Sequence, residues 1–192
     1  MEILVIDIET GVIEPTLNNY DIDNCLICEI GIVSLDLETG ERRVVFDRTC
    51  QESPGAHPSS WVFRNTSLTL AEVTASPFFH ELKPTIQELF DAKPVTSWSH
   101  DFDLAILESR GLNIPSIFWD PKTTLKHFLK INHPSGLGHK WPSVQEAHTY
   151  FNPDKPLQQT HRATQDAQIE AQIIHQAVQK WPELKNQWKD YT

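Results

Sequence analysis

Ile3-Leu4-Val5-Ile6-Asp7-Ile8-Glu9 is an apolar run broken by two carboxylates, and the way those acids are accommodated decides the fold. Such a run reads as a strand buried on both faces. Side chains alternate along a strand, so Asp7 and Glu9, two positions apart, point to the same side. Charge in a buried strand is costly unless it meets a metal or a hydrogen-bonded partner. Two accounts are open from the strand alone: its end frays into water, or later residues bring the acids a partner.

Working outward, Thr10 to Asn24 is polar, contains Pro15 and Asn18-Asn19, and reads as a loop over the strand end. Asp21, Asp23 and Asn24 resemble a calcium loop superficially, but the required glycine at its sixth position is Leu26, which rules the motif out. Leu26 to Leu35 and Arg42 to Thr49 read as strands joined by the turn Asp36-Leu37-Glu38-Thr39-Gly40, giving an antiparallel meander. Gln51 to Ser76 is a surface loop with short helical pieces around Trp61-Val62-Phe63. Beyond it, helices over Phe78–Phe90, Asp103–Gly111, Thr123–Leu129 and Ser143–Phe151 alternate with short strands at Pro94–Trp98 and Ile117–Trp119. A long helix from about Thr160 to Val178 carries Ala163, Ala167, Ala171, Ile174 and Val178 on one stripe. The order predicts an α/β fold with a mixed five-stranded sheet, three meander strands plus parallel strands, flanked by helices. Residues 180–192, with Trp181, Trp188 and three lysines, read as a short peripheral helix or tail.

A chain of 192 residues, 39% hydrophobic and 22% charged, fits one domain with an ordinary core. No apolar run approaches the ~20 residues of a membrane span, and the N-terminus enters a strand without a basic region or cleavage site. The expected location is cytoplasmic, with no membrane partner. Asn65-Thr66-Ser67 matches a glycosylation acceptor that has no meaning without a secretion signal. Cys25 and Cys28 have metal-ligand spacing, with Cys50 and His57 as the nearby groups to complete a zinc site; the alternative, favoured for Cys28, is a small buried hydrophobe. The net charge of -10 argues against a broad basic surface that clamps long duplex. It leaves phosphate chemistry open, because acids that hold divalent cations count as negative while the ions reverse the local field.

Two further stretches bear on the opening strand. Ser97-Trp98-Ser99-His100-Asp101-Phe102-Asp103 places acids where a short strand meets a helix, and His161-Arg162-Ala163-Thr164-Gln165-Asp166 opens the long helix with a histidine and an aspartate five apart. Each alone has a plain explanation: Asp103 at a helix N-terminus, Asp166 on a solvated helix face, His161 as a packing or surface residue.

Together they resemble the histidine subclass of the DEDD-type (DEDDh) 3'-5' exonucleases, which includes proofreading exonuclease subunits, ribonuclease T and oligoribonuclease. The first motif, Asp-x-Glu, is matched by Asp7-Ile8-Glu9, the second by Phe102-Asp103, and the third, His-x4-Asp, by His161 and Asp166. Glu29-Ile30-Gly31 resembles the second-strand signature and Ala75-Ser76-Pro77-Phe78 the start of the first long helix. The likeness covers roughly residues 1–178. It implies a ribonuclease H-like fold and a metal-dependent 3'-5' exonuclease releasing nucleoside 5'-monophosphates from single-stranded DNA or RNA 3' ends or short oligonucleotides. It further implies two divalent cations, Mg²⁺ or Mn²⁺, held by Asp7, Glu9, Asp103 and Asp166, with Asp7 bridging and His161 as general base. Homodimerisation, found in some relatives, is left open.

Those expectations fit the chemistry, since two hard cations about 3.5–4 Å apart activate water and neutralise phosphoryl charge. A side chain titrating near neutrality suits the base. The chain departs from the pattern at two points. Only Thr10 precedes Gly11 where two threonines are common, and Ser99 stands where asparagine is frequent. Contacts to the terminal nucleotide are expected from Thr10, Gly11, Val12 and Ile13, and base stacking from Trp61, Trp98 or Phe63, although core packing explains those aromatics equally well. The other function class weighed is a catalytically silent nucleic-acid- or protein-binding module that retains the fold.

Overall fold

The computed structural model describes residues 1–17, 21–157 and 159–190, with backbone only for 188–190; Asn18 and Asn19 of the expected loop lie outside the described residues. Strands β1 (Glu2–Val12), β2 (Cys25–Asp36), β3 (Arg42–Thr49), β4 (Val95–Thr96), β5 (Ser116–Phe118) and β6 (Trp188–Asp190) form one sheet in the order β3-β2-β1-β4-β5-β6. β1, β2 and β3 are an antiparallel meander, β4 lies parallel to β1 and β5 parallel to β4, and β6 closes the edge antiparallel to β5. The five expected strands are all present. β6 is an addition, formed where the sequence reading has a tail or short helix; a 3-10 helix at Pro182–Asn186 turns the chain back so that the β5 edge is paired.

Helices cover both faces. β1 divides its side chains between them by strand alternation. Leu4, Ile6 and Ile8 pack with α3 (Phe79–Ala92) and α4 (Asp103–Ser109) through Ile86, Phe90, Leu104 and Leu107. Ile3 and Val5 face α7 (Ala163–Lys180) through Ala167, Ala171, Ile174 and Ala177. Asp7 and Glu9 continue this second, odd-numbered series, so they look toward the start of α7. A bulge between Glu9 and Thr10 ends the regular register with β2.

The stripe of alanines on α7 permits a close approach to the sheet, and Gly31 on β2 completes it. A β-carbon at position 31 would collide with the backbone of Ala163 and Thr164. α7 begins at Ala163, three residues later than the periodicity suggests. The cause is a long-range contact: buried Glu29 accepts from the Ala163 backbone N–H at 2.9 Å and from Arg162 Nε at 2.8 and 3.0 Å. This pins the first turn to β2 and leaves His161 outside the helix at φ +51°. α5 (Pro121–Leu129) and α6 (Val144–Phe151) complete the covering layer, capped by the side chains of Asp120 and Ser143. α1 (Trp61–Asn65) and α2 (Leu70–Thr74) are the short helical pieces of the long loop, and Cys28 packs beneath them with Val62, Leu68 and Val73. No helix among the described residues is long and apolar enough to cross a membrane.

Candidate active site

Asp7, Glu9, Asp103, His161 and Asp166, drawn from β1, α4 and the approach to α7, line a single cavity of about 520 Å³. Glu9, His161 and Asp166 each offer a ligand atom, and those atoms all lie within 4.8 Å of one another. His161 Nδ1 is 3.9 Å from Asp166 Oδ2, with the imidazole 41% exposed and the carboxylate 5% exposed. The exposed Trp61 indole and the imidazole are in a T-shaped contact, ring centroids 5.2 Å apart. Trp98 also lines the cavity, but it is buried and its indole N–H donates to the Pro142 carbonyl at 3.3 Å. Gly11 and Val12 are buried against the loop before α1, where Val12 N–H donates to Ser60 Oγ at 3.0 Å; Ile13 is exposed and Thr10 half-buried.

Two charged lining residues escaped the sequence reading. Lys122, in the first turn of α5, hydrogen-bonds Ser99 Oγ at 2.7 Å and Asp101 Oδ1 at 3.1 Å, which places a cation at the cavity wall. Glu170 follows Asp166 by one helical turn and is 2% exposed. The helical i, i+4 spacing to Asp166 is the signal that could have found it. No comparable signal exists for Lys122, whose α5 is joined to the site only by folding.

The electrostatics are those of a cage awaiting positive charge. Asp7 Oδ2, Asp166 Oδ1 and Glu170 Oε2 are shut off from solvent with no hydrogen-bond partner among the described residues. Burial, reinforced by the charges of Asp166 and Glu29, pushes Glu9 up to about 8, and burial pushes Asp103 up to about 7. Burial and then the neighbouring Glu170 and Asp103 hold Asp7 well above the usual carboxylate range. Crowded carboxylate oxygens, offset only in part by Arg162 acting on Glu9 and His161 on Asp166, suit hard divalent ions, so these residues fit Mg²⁺ or Mn²⁺. A larger cavity of about 620 Å³ between α4 and β5 shares Asp101 with this one, but there Asp101 is paired with Lys122 and Asp120 caps α5.

These shifts fix the sign of a pH dependence. Glu9 and Asp103 titrate near 8 and 7 in the folded chain and near 4 when unfolded, so the folded chain holds more protons between those limits. The stabilisation is complete below about pH 4 and is lost as pH rises through 7 to 8. For the metal-free protein, calorimetry is expected to show a melting temperature falling by roughly 5–10 °C between pH 5 and pH 9. Saturating Mg²⁺ should abolish the fall, and a melting temperature rising over that range would contradict uncompensated acids.

The mixed sheet with its covering helices is a fold shared with solved 3'-exonucleases, one of them described as a DEDDh family member. No protein-family profile matches the chain. The nuclease domain of 3'hExo, a DEDDh family member, bound to rAMP, superposes with a TM-score of 0.70 at 14% identity, covering 94% of this chain and 92% of that one. A 3'-exonuclease solved for 3'-end-specific recognition of a histone mRNA stem-loop gives 0.72 at 15% identity over 94% and 82%. Exonuclease I of E. coli, in complex with a 5cy-dT13 oligonucleotide, gives 0.66 at 15% identity over 95% and 42%. In sequence, the chain is 28% identical over 182 residues to the 3'-5' exonuclease DinG of Staphylococcus haemolyticus. That match takes in 94% of this chain and 18% of DinG, so the chain spans under a fifth of its curated relative. The resemblance to the DEDDh exonucleases is thus matched in fold, and the sequence similarity is to a protein named as a 3'-5' exonuclease.

Proposed function

We propose that the chain is a metal-dependent 3'-5' exonuclease that hydrolyses phosphodiester bonds at single-stranded DNA or RNA ends and releases nucleoside 5'-monophosphates. The observation that carries this reading is the convergence of Asp7, Glu9, Asp103 and Asp166 on one cleft with His161 beside Asp166. The named activity of DinG and the rAMP and oligonucleotide bound by the two structural relatives support it.

Asp7, Glu9, Asp103 and Asp166 would hold two divalent cations. When bound, those ions supply water activation and neutralise charge on the phosphoryl oxygens. His161 takes the proton from the attacking water, and Asp166 orients its imidazole and favours the imidazolium that forms. As the water oxygen bonds to phosphorus, the bond to the 3' oxygen of the preceding nucleotide breaks, that oxygen takes a proton from solvent, and the exposed ring returns its own proton to solvent. Lys122, steadied by Ser99 and Asp101, meets a phosphate oxygen at the cleft wall. Trp61, exposed and in ring contact with His161, offers apolar surface to the terminal bases, as does Ile13, exposed just past the end of β1.

The test is time-resolved digestion of matched DNA and RNA oligonucleotides labelled at the 5' end, with Mg²⁺ or Mn²⁺. A ladder shortening one nucleotide at a time from the 3' end, abolished by EDTA, is expected. Immediate release of the label as a mononucleotide would mean 5'-3' polarity, and intact substrate with both metals would mean a silent module.

A further inference from the structure

Glu170 has no place in the three motifs, yet it lies in the same cleft. It projects from α7 one turn beyond Asp166, is 2% exposed, and lines the cavity with Asp7 and Asp103. Its carboxylate takes a hydrogen bond from the Trp98 backbone N–H, while Oε2 has no partner and no basic residue pairs with it among the described residues. The rest of this helix face is small and apolar, with Ala163, Ala167 and Ala171 fully buried. A buried carboxylate in that setting costs several kcal/mol unless a charge offsets it.

Charge balance gives the group a use. Two divalent cations bring four positive charges, and Asp7, Glu9, Asp103 and Asp166 bring four negative ones, so the loaded cleft would be neutral before nucleic acid arrives. Cations of this kind commonly depend on substrate phosphate to complete their binding. A fifth carboxylate makes the loaded cleft net negative and retains both ions without that help. We propose that Glu170 is a fifth acidic member of the metal-binding cleft, acting by its charge so that the chain binds its second divalent cation in the absence of nucleic acid. It acts from outside the Glu9–His161–Asp166 group, whose ligand atoms are the mutually close ones. The inference rests on the metal-dependent reading above.

Mn²⁺ binding to the whole chain without nucleic acid, followed by titration calorimetry and by the loss of the free-ion paramagnetic resonance signal, tests it. The parent is expected to bind two ions. Glu170→Gln, which keeps the shape and removes the charge, should keep the tighter ion and weaken the second by at least about tenfold. Its metal-free melting temperature should be equal to or above the parent's, which separates this effect from misfolding. Two ions bound with parental affinities by Glu170→Gln would overturn the inference and leave the metal reading standing. A parent that binds no Mn²⁺ would overturn both.

Discussion

Asp7→Ala is expected to reduce metal-dependent release of mononucleotides from a labelled single strand by at least about a thousandfold, or roughly 4 kcal/mol of transition-state stabilisation. The size follows from position. Asp7 stands mid-strand on the odd-numbered face of β1, where the charges of Glu170 and Asp103 act on it most strongly after burial itself, and its Oδ2 has no partner to lose among the described residues. Removing it therefore empties the centre of the cage while leaving the hydrogen bonds of β1 to β2 and β4 intact. The metal-free variant should melt no lower than the parent, because a buried, uncompensated charge is gone. Measuring both quantities separates lost chemistry from lost fold. A variant retaining a tenth or more of parental activity would show that the acids are not the metal ligands, and the silent binding module would become the better account.

That the opening strand carries the site was legible because strand alternation is local: Asp7 and Glu9 had to share a side whatever the rest of the chain did. Which side they share was not local. It follows from Ile3 and Val5 packing under α7, with Gly31 letting the helix approach, and only the assembled sheet shows it. His161 and Asp166 were legible as an ordered pair, yet the helix start was misplaced, because the Glu29–Arg162 contact that sets it joins residues 133 apart. Glu170 went unmarked, since periodicity does not distinguish a carboxylate facing water from one facing other carboxylates. β6 was hidden for a similar reason: three residues gain strand character by pairing with the distant edge β5 rather than from their own sequence.

His161→Ala should slow turnover at neutral pH by about 10²–10⁴-fold, the range that general acid–base groups contribute. Two roles are geometrically open to this imidazole. Its ring nitrogen lies within the 4.8 Å group formed with Glu9 and Asp166, which is near enough for a metal ligand. Its 41% exposure and its place outside α7 suit instead a group that must exchange protons with water. The two make opposite predictions. A base leaves Mn²⁺ affinity at the parental value when removed, flattens the acid limb of the rate–pH profile, and is partly replaced by added imidazole. A ligand weakens Mn²⁺ binding when removed, as Asp166→Asn should, and the lost rate returns with excess metal. We expect the first pattern, because the imidazole stays 41% exposed with Trp61 packed against it in a T-shaped contact. Metal rescue without imidazole rescue would assign His161 to the cage and leave proton removal to another group.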